Sequence, residues 1–146
     1  MNDHSYPALS PEPPPVDSPE WQALLTARAG AFPLVSNSPL HTLYGPLCAA
    51  RRNGSYAVGH LAQSLDGRIA TANGKSRWLS GDEDLLHTHR MRALCDAVIV
   101  GVNTVLSDDP QLTVRRCAGR HPARVVVDPE RRLDGSQPML RAGAAT

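Results

Sequence analysis

The sequence lacks the features that mark several large classes of protein. Its longest strongly apolar run, residues 97–102, is far too short to cross a bilayer. Its three cysteines, Cys48, Cys95 and Cys117, form no Cys-x-x-Cys pair, which argues against a disulfide framework and against a zinc ribbon. No signal peptide is predicted at the N-terminus. We therefore expect a soluble cytoplasmic protein that binds no metal and no membrane.

The chain also lacks an excess of charge of either sign. It has 15 basic and 14 acidic side chains, and its net charge is +1. A protein that coats nucleic acid needs a basic face, so no nucleic-acid partner is expected. Lys75 is the only lysine, and the other basic residues are arginines. Arginine suits bidentate recognition of phosphate, although a compositional bias of the genome is the simpler explanation.

The N-terminal third divides into two parts by composition. Residues 1–17 are rich in proline and predict a flexible tail. Residues 18–55 predict an N-terminal extension with a short helix, in which Ser18 is the N-cap and Gly30 ends the helix. Residues 31–46 contain three prolines without a clear period, and they are interpreted as a packed loop.

Residues 56–146 have the alternating pattern of an α/β domain. A buried strand is predicted at Tyr56–Ser64. A second is predicted at residues 97–102, a run rich in valine and typical of a strand buried on both faces. Between them, the capping box Ser80–Glu83 predicts a helix that ends near Leu94.

A short helix capped by Asn103 and a buried strand at Arg124–Asp128 complete this pattern. It favours a mostly parallel sheet with helices on its faces. Ligands on such sheets collect at the carboxyl ends of the strands, so the segments after each strand are the places to search.

Three segments bring together side chains that could do chemistry. Ser64–Gly67 places a hydroxyl and a carboxylate in a turn, and Gly74–Trp78 offers two cations, a hydroxyl and a large aromatic ring. Gly101–Pro110 joins small residues to a helix start, where backbone N–H groups could bind an anion. It lacks the Gly-x-Gly-x-x-Gly fingerprint of classical dehydrogenases. Taken singly, each segment is explained as well by a turn, a loop tip or a helix cap.

In combination the motifs become specific, because they occur in one order over about fifty residues. They are Ser64-Leu65-Asp66-Gly67-Arg68-Ile69-Ala70, Gly74-x-Ser76-x-Trp78, His89-x-x-Arg92-Ala93 and Asp108-Asp109-Pro110-x-Leu112-Thr113-Val114-Arg115. Residues 56–128 thereby resemble the reductase domain of the deaminase–reductase family of riboflavin biosynthesis. The resemblance implies a three-layer α/β/α fold like that of dihydrofolate reductase. It also implies the reduction of 5-amino-6-(5-phosphoribosylamino)uracil to the ribitylamino compound with NADPH.

The same resemblance implies which residues form the site. The residues expected to line the NADPH site are Ala62, Trp78, Thr104 and Asp108. The residues expected to contact the phosphorylated substrate are Ser76, Arg92, Leu112 and Arg115. Since the cofactor carries the difficult step, the protein chiefly positions donor and acceptor. Asp108 is the first choice for a catalytic polar group near the transferred hydride.

The sequence departs from the family at both ends. The deaminase zinc site, with its His-x-Glu and Pro-Cys-x-x-Cys motifs, has no counterpart here, so deaminase activity is not expected. The family continues beyond residue 128 with further strands and a glycine-rich loop. We therefore expect a truncated product or fragment, whose fold is incomplete at the C-terminus. A homodimer partner or a separate C-terminal segment would complete it.

Two other interpretations stay open. One is a reductase of the same fold that acts on a different heterocycle. The other is a non-catalytic fragment or interaction module that uses the proline-rich N-terminus as a peptide ligand, although disordered tails of this composition are far commoner.

Overall fold

A computed structural model describes residues 18–30, 37–50, 54–71 and 81–140. The helices are α1 (Pro19–Arg28), α2 (Pro39–Ala50), α3 (Asp82–Leu94) and α4 (Val102–Asp108), and the strands are β1 (Ala97–Gly101) and β2 (Ala123–Val127). A 3-10 turn at Pro138–Leu140 follows. The two strands are parallel, with α4 between them in the chain, which confirms the α/β class. None of the described helices is long and apolar enough to cross a membrane.

Helix α1 forms as the sequence predicts. The Ser18 hydroxyl accepts a hydrogen bond from the backbone N–H of Trp21 at 3.2 Å, and Pro19 occupies the first helical position. Gly30 follows the end of the helix with a φ of +94°, a backbone conformation that glycine adopts without steric cost. The proline-rich segment before this helix lies outside the described residues.

Helix α2 shows that the loop predicted over residues 31–46 is wrong from Pro39 onward. The helix continues through Pro46, which has no N–H to donate to the preceding turn. Tyr44 and Cys48, one turn apart, are almost completely buried. Burial of this face offsets the lost hydrogen bond, which a pattern of prolines alone does not reveal.

The strand predicted at Tyr56–Ser64 is wrong, because these residues form no strand and Tyr56 is 62% exposed. The strand at residues 97–102 is confirmed as β1, but its burial on both faces is not. Ile99 is 65% exposed, whereas Val98 and Val100 pack beside Met139. An apolar run therefore identified a strand without showing that only one of its faces is covered.

The helix ending at Leu94 is confirmed as α3, but its predicted cap is wrong. The N-cap is Gly81, which makes no side-chain hydrogen bond, and Ser80 lies outside the described residues. Three consecutive acidic residues in the first turn complement the helix dipole instead. For α4, likewise, the N-cap is Gly101, and Asn103 lies inside the helix.

One hydrophobic cluster joins the two N-terminal helices to α3. Its buried members are Trp21, Leu24, Tyr44, Cys48, Ala93, Leu94 and Val114. The Trp21 indole N–H also donates to the carbonyl oxygen of Ala118 at 2.9 Å. The N-terminal helices therefore pack into the same core as the α/β part of the chain.

Arg28 ties the end of α1 to the end of α3. It is 6% exposed, and its Nε donates to the carbonyl oxygen of Leu94 at 2.6 Å. Its Nη2 lies 2.7 Å from Oδ1 of Asp96. A cation at this position satisfies a terminal carbonyl and complements the negative end of the α3 dipole.

Replacing Arg28 with methionine should lower the free energy of unfolding by about 2–3 kcal/mol, because a buried hydrogen bond from a charged group is lost. Arg120 provides a matched control, since it approaches the same carboxylate at 3.5 Å but is 63% exposed. Arg120→Met should cost less than about 0.5 kcal/mol. Urea denaturation of both variants checks this, and equal losses would contradict the role given to Arg28.

Gly119→Ala should be one of the most destabilising small substitutions in the chain. Gly119 has a φ of +140°, and an added Cβ would lie 2.5 Å from Cβ of Ala93 on α3. We expect a cost of about 2–4 kcal/mol from backbone strain and overpacking. Gly135→Ala is the control, since its φ is +84° but its surroundings are open. If thermal unfolding shows equal costs, close packing at Gly119 is disproved.

Candidate functional site

Two of the four residues predicted to contact substrate meet at Thr113. Nη1 of Arg92, on α3, lies 3.4 Å from the carbonyl oxygen of Thr113. Nη1 of Arg115 donates to the Thr113 hydroxyl at 2.7 Å. Arg92 is partly buried and Arg115 is exposed, so the pair lies at the protein surface.

The charge of this arginine pair is not neutralised by the part of the chain that the structure describes. The arginines that form ion pairs there are Arg28, Arg68, Arg116 and Arg120. Burial, and then the charge of Arg115, lower the pKa of the Arg92 guanidinium below its ordinary value. Two guanidinium groups that repel each other without a carboxylate between them favour a bound anion. Their planar donor forks match the oxygens of a phosphate.

His89 is a third member of this cluster, which the sequence analysis named only as part of a motif. It is 4% exposed, and its Nδ1 accepts the backbone N–H of Arg115 at 3.0 Å. Burial, followed by the charges of the neighbouring arginines, lowers the pKa of His89 to about 4. The ring is therefore neutral at pH 7. The available signal was the His89-x-x-Arg92 spacing, which places both side chains on one helical face.

A cavity of about 630 Å³ lies beside the cluster, between α3, β1 and residues 54–60. Arg92 and the predicted substrate residue Leu112 both line it. Its size is within the range of small-molecule sites. Cys95 also lines it, but burial raises the pKa of this thiol. A nucleophilic thiolate is therefore disfavoured, and the site offers anion binding rather than covalent chemistry.

The residues predicted to line the NADPH site are not brought together in the same way. Thr104 and Asp108 lie one turn apart on α4, and both are partly exposed. Ala62 lies in the irregular segment after α2, and the described residues that line the cavity include none of these three. Ser76 and Trp78 lie outside the described residues.

The turn predicted at Ser64–Gly67 is confirmed, and its polar groups satisfy one another. The backbone N–H of Ser64 donates to the carbonyl oxygen of Arg68 at 2.9 Å, and Gly67 has a φ of +79°. The Ser64 hydroxyl donates to the Asp66 carboxylate, and this hydrogen bond lowers the pKa of that group. These contacts favour a structural role for the turn.

Residues 56–146 match the family model of the RibD C-terminal domain. A 2,5-diamino-6-ribosylamino-4(3H)-pyrimidinone 5′-phosphate reductase of Methanothermobacter thermautotrophicus is 54% identical over 76 residues, which are 50% of this chain and 35% of the relative. The riboflavin biosynthesis protein RibD of Mycobacterium tuberculosis is 50% identical over 70 residues, which are 45% of this chain and 21% of the relative.

Among solved structures, the chain is similar to one from Thermotoga maritima. That protein is described as a diaminohydroxyphosphoribosylaminopyrimidine deaminase/5-amino-6-(5-phosphoribosylamino)uracil reductase. The identity is 46%, the TM-score is 0.45, and the match covers 48% of this chain and 20% of the other. The chain thus spans between 20% and 35% of the length of these three proteins.

The burial of a neutral His89 predicts that the protein loses stability in mild acid. Between its ordinary pKa of 6.5 and its folded pKa of about 4, the unfolded chain binds a proton that the folded chain does not. The free energy of unfolding should therefore fall, by up to about 3 kcal/mol, as the pH drops through this window. Urea denaturation at several pH values measures the slope. The His89→Asn variant should show a shallower slope, and an identical slope would refute the prediction.

Proposed function

Because this chain belongs to the family of the RibD C-terminal domain, we propose that it acts as a pyrimidine reductase of riboflavin biosynthesis. The proposed substrate is 5-amino-6-(5-phosphoribosylamino)uracil, and the product is the corresponding ribitylamino compound. NADPH is the proposed hydride source. The observation that carries this proposal is the pair Arg92 and Arg115, which no carboxylate of the described residues neutralises, beside a cavity of suitable size.

In this proposal the two arginines hold the 5′-phosphate of the substrate. Both guanidinium groups contact Thr113, one at its carbonyl oxygen and the other at its hydroxyl. This common contact limits the distance between the two forks, so a phosphate between them would be held in one orientation. The reducible C1′ of the ring-opened ribose is connected to that phosphate through the carbon chain of the sugar. Fixing the phosphate therefore restricts where the reacting carbon lies.

The NADPH side of the proposal rests on the family resemblance. Ala62, Thr104 and Asp108 are not among the described residues that line the cavity with Arg92. Asp108 stays a prediction as the catalytic polar group near the hydride.

A second candidate substrate is favoured by the archaeal relative. At 54% identity, the protein from Methanothermobacter thermautotrophicus carries the name of a reductase for a diaminopyrimidinone with the same ribosylamino 5′-phosphate. The two compounds differ in the heterocycle and not in the phosphate. The arginine pair would therefore bind both, and a comparison of the two substrates separates these candidates.

We further propose that the complete fold is the three-layer α/β/α arrangement of dihydrofolate reductase, with its reductase site in residues 56–146. The support is the open face of the two-stranded sheet, on which Ile99, Val125 and Val127 are 65%, 40% and 55% exposed. Such an apolar face needs a covering layer. A homodimer partner or a C-terminal segment would supply it.

The proposed function is tested by following the absorbance of NADPH with the phosphorylated aminouracil as substrate. Arg92→Ala should raise KM by about tenfold or more, because one charged phosphate contact is lost. Arg120→Ala is the control, since Arg120 is exposed and pairs with Asp96, and its KM should stay within about twofold of the wild type.

The dephosphorylated substrate distinguishes phosphate recognition from a general loss of structure. It should be a poor substrate for the wild-type chain and equally poor for Arg92→Ala. An unchanged KM in Arg92→Ala would show that the arginine pair does not bind the substrate. No NADPH oxidation with either pyrimidine would overturn the proposed function for this chain.

A further inference from the structure

We propose that His89 is a positioning residue of the anion site, whose Nδ1 holds the backbone of Arg115 so that the two guanidinium groups keep a fixed separation. This inference rests on the proposed function, because it concerns the site that would bind the substrate phosphate. His89 would contact neither phosphate nor hydride, and it would act only through Arg115.

Helix α3 contacts the short segment 113–115 at two points. His89 Nδ1 accepts the N–H of Arg115 at 3.0 Å, and Arg92 Nη1 lies 3.4 Å from the carbonyl oxygen of Thr113. His89 and Arg92 are three residues apart on α3, so their side chains lie side by side. The helix therefore holds both ends of the segment 113–115 from one face.

The backbone of this segment forms hydrogen bonds with side chains and not with a neighbouring strand. Residues 111–115 belong to no strand, and Leu112 has a φ of +53°. The middle residue, Val114, is 6% exposed and donates its N–H to Nδ1 of His121 at 3.0 Å. The backbone of residues 113–115 is thus held by contacts from the side chains of His89, Arg92 and His121. Removing the one at Arg115 would release the part of the segment that carries the guanidinium.

The electrostatic surroundings keep His89 in the state that this role needs. Nδ1 can accept an N–H only when it carries no proton, and the proton of the neutral ring must then be on Nε2. Burial, and then the charges of Arg92, Arg115 and Arg116, disfavour an imidazolium and outweigh the backbone hydrogen bond at Thr113, which favours one. Burial and the arginines that favour the anion therefore maintain the histidine as an acceptor together.

Loss of the hydrogen bond between His89 and Arg115 should lower the affinity for phosphate. Arg115 is exposed, so its side chain gains freedom when its backbone is released. Bidentate recognition requires both forks to be in register with the phosphate oxygens. A released Arg115 would have to be ordered again on each binding event, which weakens binding.

The test uses two polar substitutions that differ in where they place an acceptor. In His89→Asn, the amide oxygen is as many bonds from Cβ as Nδ1 is, so it can take the Arg115 N–H. In His89→Gln, the amide lies one bond farther away, nearer the place of Nε2. His121→Gln is the matched control, because it breaks the same kind of bond to neighbouring Val114, whose side chain packs in the core.

The probe is ribose 5-phosphate, titrated into the full chain by calorimetry, with ribose as the control ligand. We expect His89→Gln to weaken binding by about tenfold, while His89→Asn and His121→Gln stay within about threefold of the wild type. Circular dichroism confirms that each variant is folded. Ribose should bind detectably to none of them.

Three results would overturn the inference: equal affinity in both His89 variants, equal loss in both, or no binding of ribose 5-phosphate by the wild type. The proposed function fails separately. If binding follows the expected pattern but the aminouracil is not reduced with NADPH, His89 keeps its role and the reductase assignment is wrong. Where turnover is seen, His89→Gln should raise KM and leave kcat nearly unchanged.

Discussion

Helix α3 is packed over its C-terminal half by helices that come earlier in the chain, and the site depends on this packing. Trp21 and Tyr44 bury one side of α3, and Arg28 holds its last carbonyl. The same helix presents His89 and Arg92 to the segment 113–115. A rotation or shift of α3 would move both side chains together, so core packing and site geometry are set by one rigid element.

The arginine pair is unfavourable for the folded protein by itself. Two guanidinium groups lie near Thr113 with no carboxylate of the described residues between them, and burial adds to the cost for Arg92. The surrounding packing has to offset this cost. Binding sites commonly contain side chains whose placement lowers the stability of the folded protein.

Local signals predicted α1, the end of α3 and both strands, because caps and apolar runs act over a few residues. They failed for α2, where Tyr44 and Cys48 gain their burial from α1. They failed again for the strand at Tyr56–Ser64, since an apolar segment becomes a strand only where it has a partner. Arg92 and Arg115 were identified through a motif. The role of His89 depends on a backbone contact 26 residues away, which no spacing within α3 encodes.

The hydrogen bonds of Trp21 and Arg28 show that the packed core of this protein extends beyond the segment that matches the family model. The family match begins at residue 56, whereas these two side chains, outside it, bind Ala118 and Leu94 within it. A change of the N-terminus in front of residues 56–146 would keep the matched segment and strip one side of α3 of its cover. Selection on the candidate site would therefore extend to helices that lie outside the match.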